Sequence, residues 1–138
     1  MTNKEIIIDA TGAIVGRLSS FAAKKALQGE KVVIVNSGEA IISGRKADIL
    51  KDYLHRLRLG RAAQKGPLFS RKPEQILRRA IRGMINRKSS RGREAFKRVK
   101  CYVDTPEQYA SSNKISIEKK EPTNFITLNE LSKLIRQK

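Results

Sequence analysis

The sequence predicts an α/β fold: a single domain with a small, mainly parallel sheet flanked by helices, and a basic helix–loop extension. Two short apolar runs near the start are separated by an amphipathic stretch, which is the pattern of a βαβ unit. A third apolar run follows further amphipathic stretches. Residues 56–100 hold sixteen basic and two acidic side chains, so a third of the chain carries nearly all of its formal charge of +17.

The first strand is predicted at Glu5–Asp9, whose apolar run is continuous, as in a strand buried on both faces. A turn at 10–12 leads into a helix that ends near Gln28, because Gly29 is a favourable C-terminal stop. The run Val32–Asn36 predicts a second strand. The connection between these strands is expected to be a right-handed crossover.

A second helix is predicted after a turn at Ser37–Glu39 and a short apolar segment, Ala40–Ile42. Ser43 is the residue type that caps helix N termini, and an apolar stripe continues from there to Arg58. The loop Gly60–Lys72, which contains glycine and lysine, follows this helix.

A third helix is predicted from Pro73, a residue favoured at the first helical position. Its apolar face recurs with the helical period and comprises Ile76, Leu77, Ala80, Ile81, Met84 and Ile85. A charged loop at Arg87–Arg93 and a short helical turn at Glu94–Arg98 lead to a predicted strand at Val99–Val103.

The C-terminal part is predicted to be irregular over Ser111–Asn124 and helical over Leu128–Arg136. Thr127 and Glu130 have the spacing of a capping box at the start of that helix. No composition typical of a linker divides the chain, so residues 1–138 are predicted to form one RNA-binding domain, with residues 111–138 as its tail.

The sequence lacks a catalytic constellation. The stretch Gly12–Ser19 has neither the P-loop spacing nor the dinucleotide fingerprint, so Gly12 is interpreted as a turn glycine and Gly16 as a close-packing glycine. His55 has no orienting carboxylate, and Cys101 lies in an apolar run where inert burial is expected. We therefore predict no enzyme activity, no catalytic residue, no cofactor and no metal site.

The charge predicts a polyanionic partner. An unopposed basic block repels itself, and eleven of its sixteen cations are arginines, whose planar forks match phosphate. Only Phe69 and Phe96 are aromatic within it, which favours recognition of the backbone of folded RNA over base stacking. The chain shows no apolar run of membrane-spanning length and no signal peptide, and its single cysteine indicates a reducing compartment.

The candidate RNA-binding residues lie in several groups. Arg78, Arg79 and Arg82 share the side of the third helix opposite its apolar face. Cations at helix starts are unfavourable because they oppose the helix dipole. A phosphate that bridges the helix N terminus and the side chain would explain why such cations occur there, and side chains that simply point into water explain them equally well. The full predicted set is Arg17, Arg45, Lys46, His55, Arg56, Arg58, Arg61, Lys65, Arg71, Lys72, Arg78, Arg79, Arg82, Arg87, Lys88, Arg91 and Arg93.

Several motifs in register resemble the universal large-subunit ribosomal protein L-thirteen family, its archaeal branch in particular. The resemblance covers roughly residues 5–106. It rests on Ile8-Asp-Ala-Thr-Gly, Gly16-Arg-Leu-Ser-Ser, Gly29-Glu-Lys-Val-Val-Ile-Val-Asn-Ser-Gly-Glu, Ile42-Ser-Gly, Tyr53-Leu-His-Arg, Lys65-Gly-Pro, Arg71-Lys-Pro and Ala80-Ile-Arg-Gly-Met-Ile.

The resemblance implies a structural constituent of the large ribosomal subunit that binds large-subunit ribosomal RNA and supports subunit assembly and translation. It implies a cytoplasmic ribonucleoprotein with neighbouring large-subunit ribosomal proteins as further partners, and no membrane or small-molecule substrate. Two alternatives lack sequence support. A nuclease or RNA-modifying enzyme needs clustered carboxylates or a cofactor loop, and a DNA-binding regulator needs a recognition-helix signal.

Overall fold

The computed structural model describes residues 4–58, 69–117 and 122–136. It contains six strands and five helices among these residues. In order they are β1 (Glu5–Asp9), α1 (Val15–Leu27), β2 (Lys31–Val35), β3 (Ile41–Ser43), α2 (Lys46–Arg58), α3 (Pro73–Gly83), α4 (Ser90–Lys97), β4 (Val99–Cys101), β5 (Ile115–Ser116), β6 (Phe125–Thr127) and α5 (Leu128–Arg136). Short 3-10 turns occupy Ser37–Glu39 and Glu107–Tyr109.

The main sheet has the strand order β4–β2–β1–β5, and every pairing in it is parallel. Its centre is the β1–α1–β2 unit, in which Ile6 pairs with Val32 and Ile8 with Ile34. Strands β3 and β6 form a separate antiparallel pair. The predicted α/β class and the parallel sheet flanked by helices are confirmed.

Both faces of the sheet are covered. Ile8 and Ile34 belong to a core that also contains Leu18 of α1 and Leu77 of α3. On the other face, Val33 and its neighbours Ile7 and Val35 pack against Tyr102 and Tyr109. Burial on both faces explains why these strands are continuously apolar rather than alternating.

The tail joins the same core through its terminal helix. Leu128, Leu131 and Ile135 of α5 are buried among the residues of the helix-covered face. Thr127 caps α5 as its spacing predicts, because its hydroxyl oxygen accepts a hydrogen bond from the Glu130 amide at 3.2 Å.

Three predictions in the first half of the chain are wrong. Ser43 does not cap α2; it pairs with Phe125 in the β3–β6 ladder, and the helix begins at Lys46. Asn36 is not part of the second strand, which ends at Val35. Its backbone lies in the left-handed region at φ 57°, and its side-chain nitrogen Nδ2 donates to Asp9 Oδ1 at 3.0 Å. Gly16 is not required for packing, since a Cβ there would meet no atom within 4 Å.

Four more differences lie in the second half. Strand β4 ends at Cys101 and not at Val103, where the prediction ended it. Met84 is 47% exposed, so it lies outside the apolar face of α3. Helix α4 begins at Ser90, inside the predicted charged loop, because the Ser89 hydroxyl oxygen accepts from the Gly92 amide at 3.1 Å. The sequence also failed to indicate β5 and β6, which have two and three residues.

Candidate nucleic-acid interface

A continuous cationic surface runs along α3 between α2 and α4. We call it the arginine band and define it as Arg56, Arg78, Arg79, Arg82, Arg87 and Lys88. These side chains line three neighbouring clefts, and Arg79 contributes to all three. The middle one, called the central cleft, has a volume of about 340 Å³. Residues of α3 and the turn after it thus form one surface with Arg56 of α2.

Helix α3 presents this surface because its sequence is strongly two-sided. Pro73 starts the helix, and Ile76, Leu77 and Ile81 are buried against the sheet and its covering helices. At the helical period, Arg78 and Arg82 then fall on the solvent side. The predicted amphipathic arrangement of this helix is confirmed.

Aromatic rings lie under most of the arginines of the band. The Arg78 and Arg87 guanidinium carbons lie 4.4 Å and 5.4 Å from the centroid of the Phe96 ring. Arg79 lies 3.8 Å from the Phe69 centroid. Cations over ring faces gain about 0.5–1 kcal/mol each at exposed sites, so these rings hold the guanidinium groups in place.

A fourth arginine repeats this contact at the α2 end of the band. The Arg56 guanidinium carbon lies 5.2 Å from the Tyr53 centroid, and its Nη2 forms an ion pair of 3.0 Å with Asp52. Burial raises the pKa of Tyr53 above its usual range. Arg56 is therefore the partly compensated member of the band.

Three arginines of the band lack an acidic partner among the described residues. Within the described part of the chain, no carboxylate oxygen lies within 4.0 Å of the Arg78, Arg82 or Arg87 guanidinium groups. An uncompensated cluster of this kind attracts and steers a polyanion. The band therefore has the electrostatics of an anion-binding surface.

A tight turn places Arg87 and Lys88 at the far end of the band. The Ser89 hydroxyl donates to the Asn86 carbonyl at 3.0 Å, and Asn86 Oδ1 accepts from the Lys88 amide at 3.2 Å. A Cβ on Gly92 would overlap the Asn86 carbonyl oxygen. The turn closes only with glycine at this position.

Two predicted RNA-binding residues on α4 make intramolecular contacts. Arg91 Nη2 donates to the Leu27 carbonyl at 3.2 Å, and Arg93 Nη1 donates to the Lys88 carbonyl at 3.3 Å. Arg98, which the sequence did not single out, donates to the Ala26 carbonyl at 3.0 Å. Arg91 thus gives the Leu27 carbonyl at the end of α1 a hydrogen-bond donor, and Arg98 adds a second donor to the Ala26 carbonyl, which also accepts from the Gly29 amide at 3.1 Å.

The predicted cations at helix starts lie apart from the band's clefts. Arg17 is exposed on α1. Arg45 Nε lies 4.0 Å from Asp48 Oδ2, and Lys46 Nζ lies 2.9 Å from Glu130 Oε1. Acidic partners therefore compensate two of these three residues.

The remaining predicted residues lie beside the band or outside the described residues. His55 and Arg58 are exposed in the last turn of α2, and Arg71 and Lys72 are exposed just before α3. The Arg71 carbonyl accepts a hydrogen bond from the Ser132 hydroxyl at 2.6 Å, which ties this segment to α5. Arg61 and Lys65 lie outside the described residues.

The residues tested for chemistry in the sequence show no catalytic arrangement in the described part of the chain. Cys101 is half-buried on β4, and burial raises the pKa of its thiol to about 12, so the thiol stays protonated at neutral pH. Among the described residues, no three His, Cys, Asp or Glu side chains are grouped closely enough to hold a metal ion. None of the helices described here has the length and apolarity needed to cross a membrane.

The sequence did not indicate the aromatic rings that contact the arginines of the band. From the sequence, Phe69 and Phe96 indicate only that the basic block has too few aromatic rings for base stacking. Their contacts with arginines depend on how α4 and the segment before α3 pack, which no local pattern shows. The same holds for Ser70 and Gln75, which line the central cleft with neutral polar groups.

The fold and the surface together define a class of protein. It is a small parallel α/β protein that presents a localised guanidinium surface suited to a polyanion.

Comparison with known proteins identifies the family. The family model described as Ribosomal protein L13 matches residues 3–108. The large ribosomal subunit protein uL13 of Methanocaldococcus jannaschii is 48% identical over 130 residues, which cover 92% of this chain and 94% of that protein. The proteins of the same name from Thermoplasma volcanium and Thermoplasma acidophilum are 43% and 41% identical, each over 92% of this chain and 95% of the relative. The chain therefore belongs to the ribosomal protein L13 family, in its archaeal branch, as the motifs indicated.

Proposed function

We propose that this chain is a structural constituent of the large ribosomal subunit and binds large-subunit ribosomal RNA through the arginine band. Family membership and the names of the relatives support the subunit assignment. The observation that carries the RNA-binding surface is the clustering of six cations from α2, α3 and the turn after α3 along three adjoining clefts. In this role the protein supports subunit assembly and translation in the cytoplasm and is not an enzyme.

The contact chemistry favours the RNA backbone. Guanidinium groups offer paired N–H donors that match phosphate oxygens. The rings in the band already lie beneath guanidinium groups, so they are poor platforms for bases. Recognition through phosphate positions and helix shape is typical of folded RNA, whose narrow major groove hides the base edges.

The flanking and separate cations have secondary roles in this proposal. Arg58, Arg71 and Lys72 extend the positive surface next to the band, and His55 adds an exposed polar side chain there. The loop cations Arg61 and Lys65 are proposed contacts from the sequence alone. Arg91 and Arg93 act mainly by holding α4, and Arg17, Arg45 and Lys46 contribute less to RNA affinity.

Neighbouring ribosomal proteins are the proposed partners of the tail. Ile115 and Phe125 are large apolar side chains that stay exposed on β5 and β6. Small exposed apolar surfaces of this kind suit protein contacts better than phosphate. We also propose that residues 1–138 act as one domain, because α5 shares the core of the preceding elements.

Sedimentation of native cell extract tests this function. The chain, followed by its mass, is expected to migrate in stoichiometric amount with the large subunit at low salt and to remain bound when loosely attached proteins are stripped at high salt. Migration as a free protein, or with the small subunit, would refute the assignment.

A further inference from the structure

Phe96 is an unusual residue in the centre of the arginine band. It lies on α4, half-buried, and lines the central cleft together with arginines of α3 and of the following turn. Two guanidinium carbons approach its ring, Arg78 at 4.4 Å and Arg87 at 5.4 Å. A single ring therefore contacts cations from two different segments of the chain.

This arrangement restricts the guanidinium groups. A free arginine side chain samples many rotamers, and fixing it costs conformational entropy. A ring face that attracts the guanidinium plane removes part of that freedom before any ligand arrives. The N–H edges of Arg78 and Arg87 lie in the planes of their guanidinium groups and remain available for hydrogen bonds.

The cleft around Phe96 has the composition of a phosphate site. Arg82 adds a third cation, which is exposed like Arg87, and Ser70 and Gln75 supply neutral polar groups. The Ser70 hydroxyl oxygen accepts from the Lys72 amide at 3.2 Å, so its own proton can be donated to an acceptor in the cleft. Donors of this kind suit an anion that accepts several hydrogen bonds.

We propose that Phe96 is a positioning residue that sets the Arg78 and Arg87 guanidinium groups to bind phosphates of an RNA backbone in the central cleft. The inference rests on the proposed RNA-binding function and adds to it the place, the ligand group and the residue that orders the site. The ring acts through the arginines and does not contact a base.

The test is a double-mutant cycle on the full chain, with a generic RNA duplex as the probe and a single-stranded RNA of one of its strands alongside. Phe96→Leu keeps an apolar side chain and all charges, and is expected to weaken duplex binding about three- to tenfold. In an Arg78→Gln, Arg87→Gln background the same change is expected to have no further effect on affinity, because the ring then has no guanidinium group to position. Any loss of thermal stability from Phe96→Leu is expected in both backgrounds.

Phe21→Leu is the matched control. Phe21 is also half-buried and contacts a cation, Lys25 Nζ at 5.7 Å, but lies on α1 outside the band's clefts. It is expected to leave duplex affinity unchanged.

Each other outcome has a distinct meaning. Failure of the unmodified chain to bind the duplex would refute the proposed function itself. Normal binding with an equal loss from Phe96→Leu in both backgrounds, or with no loss in either, would overturn the positioning role. A larger loss for the single strand than for the duplex would show that the ring stacks on a base and would overturn it as well.

Discussion

The arginine band and the helix starts of α1 and α2 carry the same kind of charge in different surroundings. In the band, Arg78 and Arg87 lie on the ring of Phe96 and have no ion pair among the described residues. At the helix starts, Lys46 is paired with Glu130 at 2.9 Å. The comparison shows that the number of cations does not define a binding surface; their partners and their order do.

The difference has an electrostatic and an entropic part. A paired surface cation must give up its acidic partner before it binds phosphate, and such a pair is worth about 0–1 kcal/mol. An arginine that already rests on a ring loses less freedom on binding. Both effects favour the band as the main RNA contact, and the following predictions test that ranking from the largest effect to the smallest.

Charge reversal in the band is expected to have the largest effect. Arg78→Glu, Arg79→Glu and Arg82→Glu together remove three phosphate contacts, so affinity for large-subunit ribosomal RNA should fall about 100-fold or more near 0.1 M salt. Filter binding measures the affinity, and a thermal melt checks that the variant still unfolds cooperatively.

The control carries the same change in charge at exposed positions outside the band: Lys24→Glu, Lys51→Glu and Lys133→Glu. A control that lost as much affinity as the band variant would show that binding follows total charge alone.

Alanine substitutions at Gly92 and Gly16 compare the turn at the end of the band with the start of α1. Gly92→Ala places a methyl group against the Asn86 carbonyl, and overpacking of this kind costs about 1–3 kcal/mol of unfolding free energy. Gly16→Ala meets nothing within 4 Å and should be neutral or stabilise the helix by up to about 1 kcal/mol. Urea denaturation measures both, and equal effects would contradict the tight turn at the end of the band.

The thiol of Cys101 reports on the packing beneath the band. Burial raises its pKa to about 12, so above its ordinary value near 9 the unfolded chain loses the proton while the folded chain keeps it. The free energy of unfolding should therefore fall as the pH rises from 9 towards 12, by at most about 1.4 kcal/mol per pH unit from this group.

Cys101→Ala isolates that contribution from the titration of tyrosines and lysines. The stability difference between variant and parent is expected to be constant up to pH 9 and then to shift in favour of the variant. A difference that did not change with pH up to 11 would mean that the thiol titrates normally.

Release of Lys46 is expected to have the smallest effect. Glu130→Gln removes the carboxylate that pairs with Lys46 and keeps the shape of the side chain. Stability should fall by no more than about 1 kcal/mol, and RNA affinity should rise by less than about threefold. A tenfold rise in RNA affinity, measured by a binding titration, would show that the start of α2 is a principal RNA contact and would contradict the ranking of the two regions.

Much of the fold follows from local sequence patterns. The β1–α1–β2 unit and the two-sided α3 were predictable because continuous apolar runs and the 3.6-residue period are strong local signals. Strand β5 was not, because its two residues depend on pairing with Ile8 and Asp9 more than a hundred residues away. Ser43 was misassigned because a strand pairing with Phe125 outweighed its capping tendency.

The candidate site was predictable only as a set of cations. The spacing of Arg78, Arg79 and Arg82 was enough to place them on one helix face. Which cations meet a ring and which meet a carboxylate depends on contacts between distant segments. Phe96 could not be recognised as part of the site until α4 was seen packed beside α3.

The most direct test of the central claim compares two variants of equal charge by the salt dependence of RNA binding. One replaces Arg78, Arg79 and Arg82 with glutamine, and the other replaces Arg17, Arg45 and Lys46 with glutamine. The slope of log K against log salt is negative, and each lost phosphate contact reduces its magnitude by about 0.7–0.9. The band variant should therefore lose about 2–3 from the slope and the helix-start variant less than about 1. Equal losses, or a larger loss at the helix starts, would contradict the assignment of the band as the main RNA-binding surface.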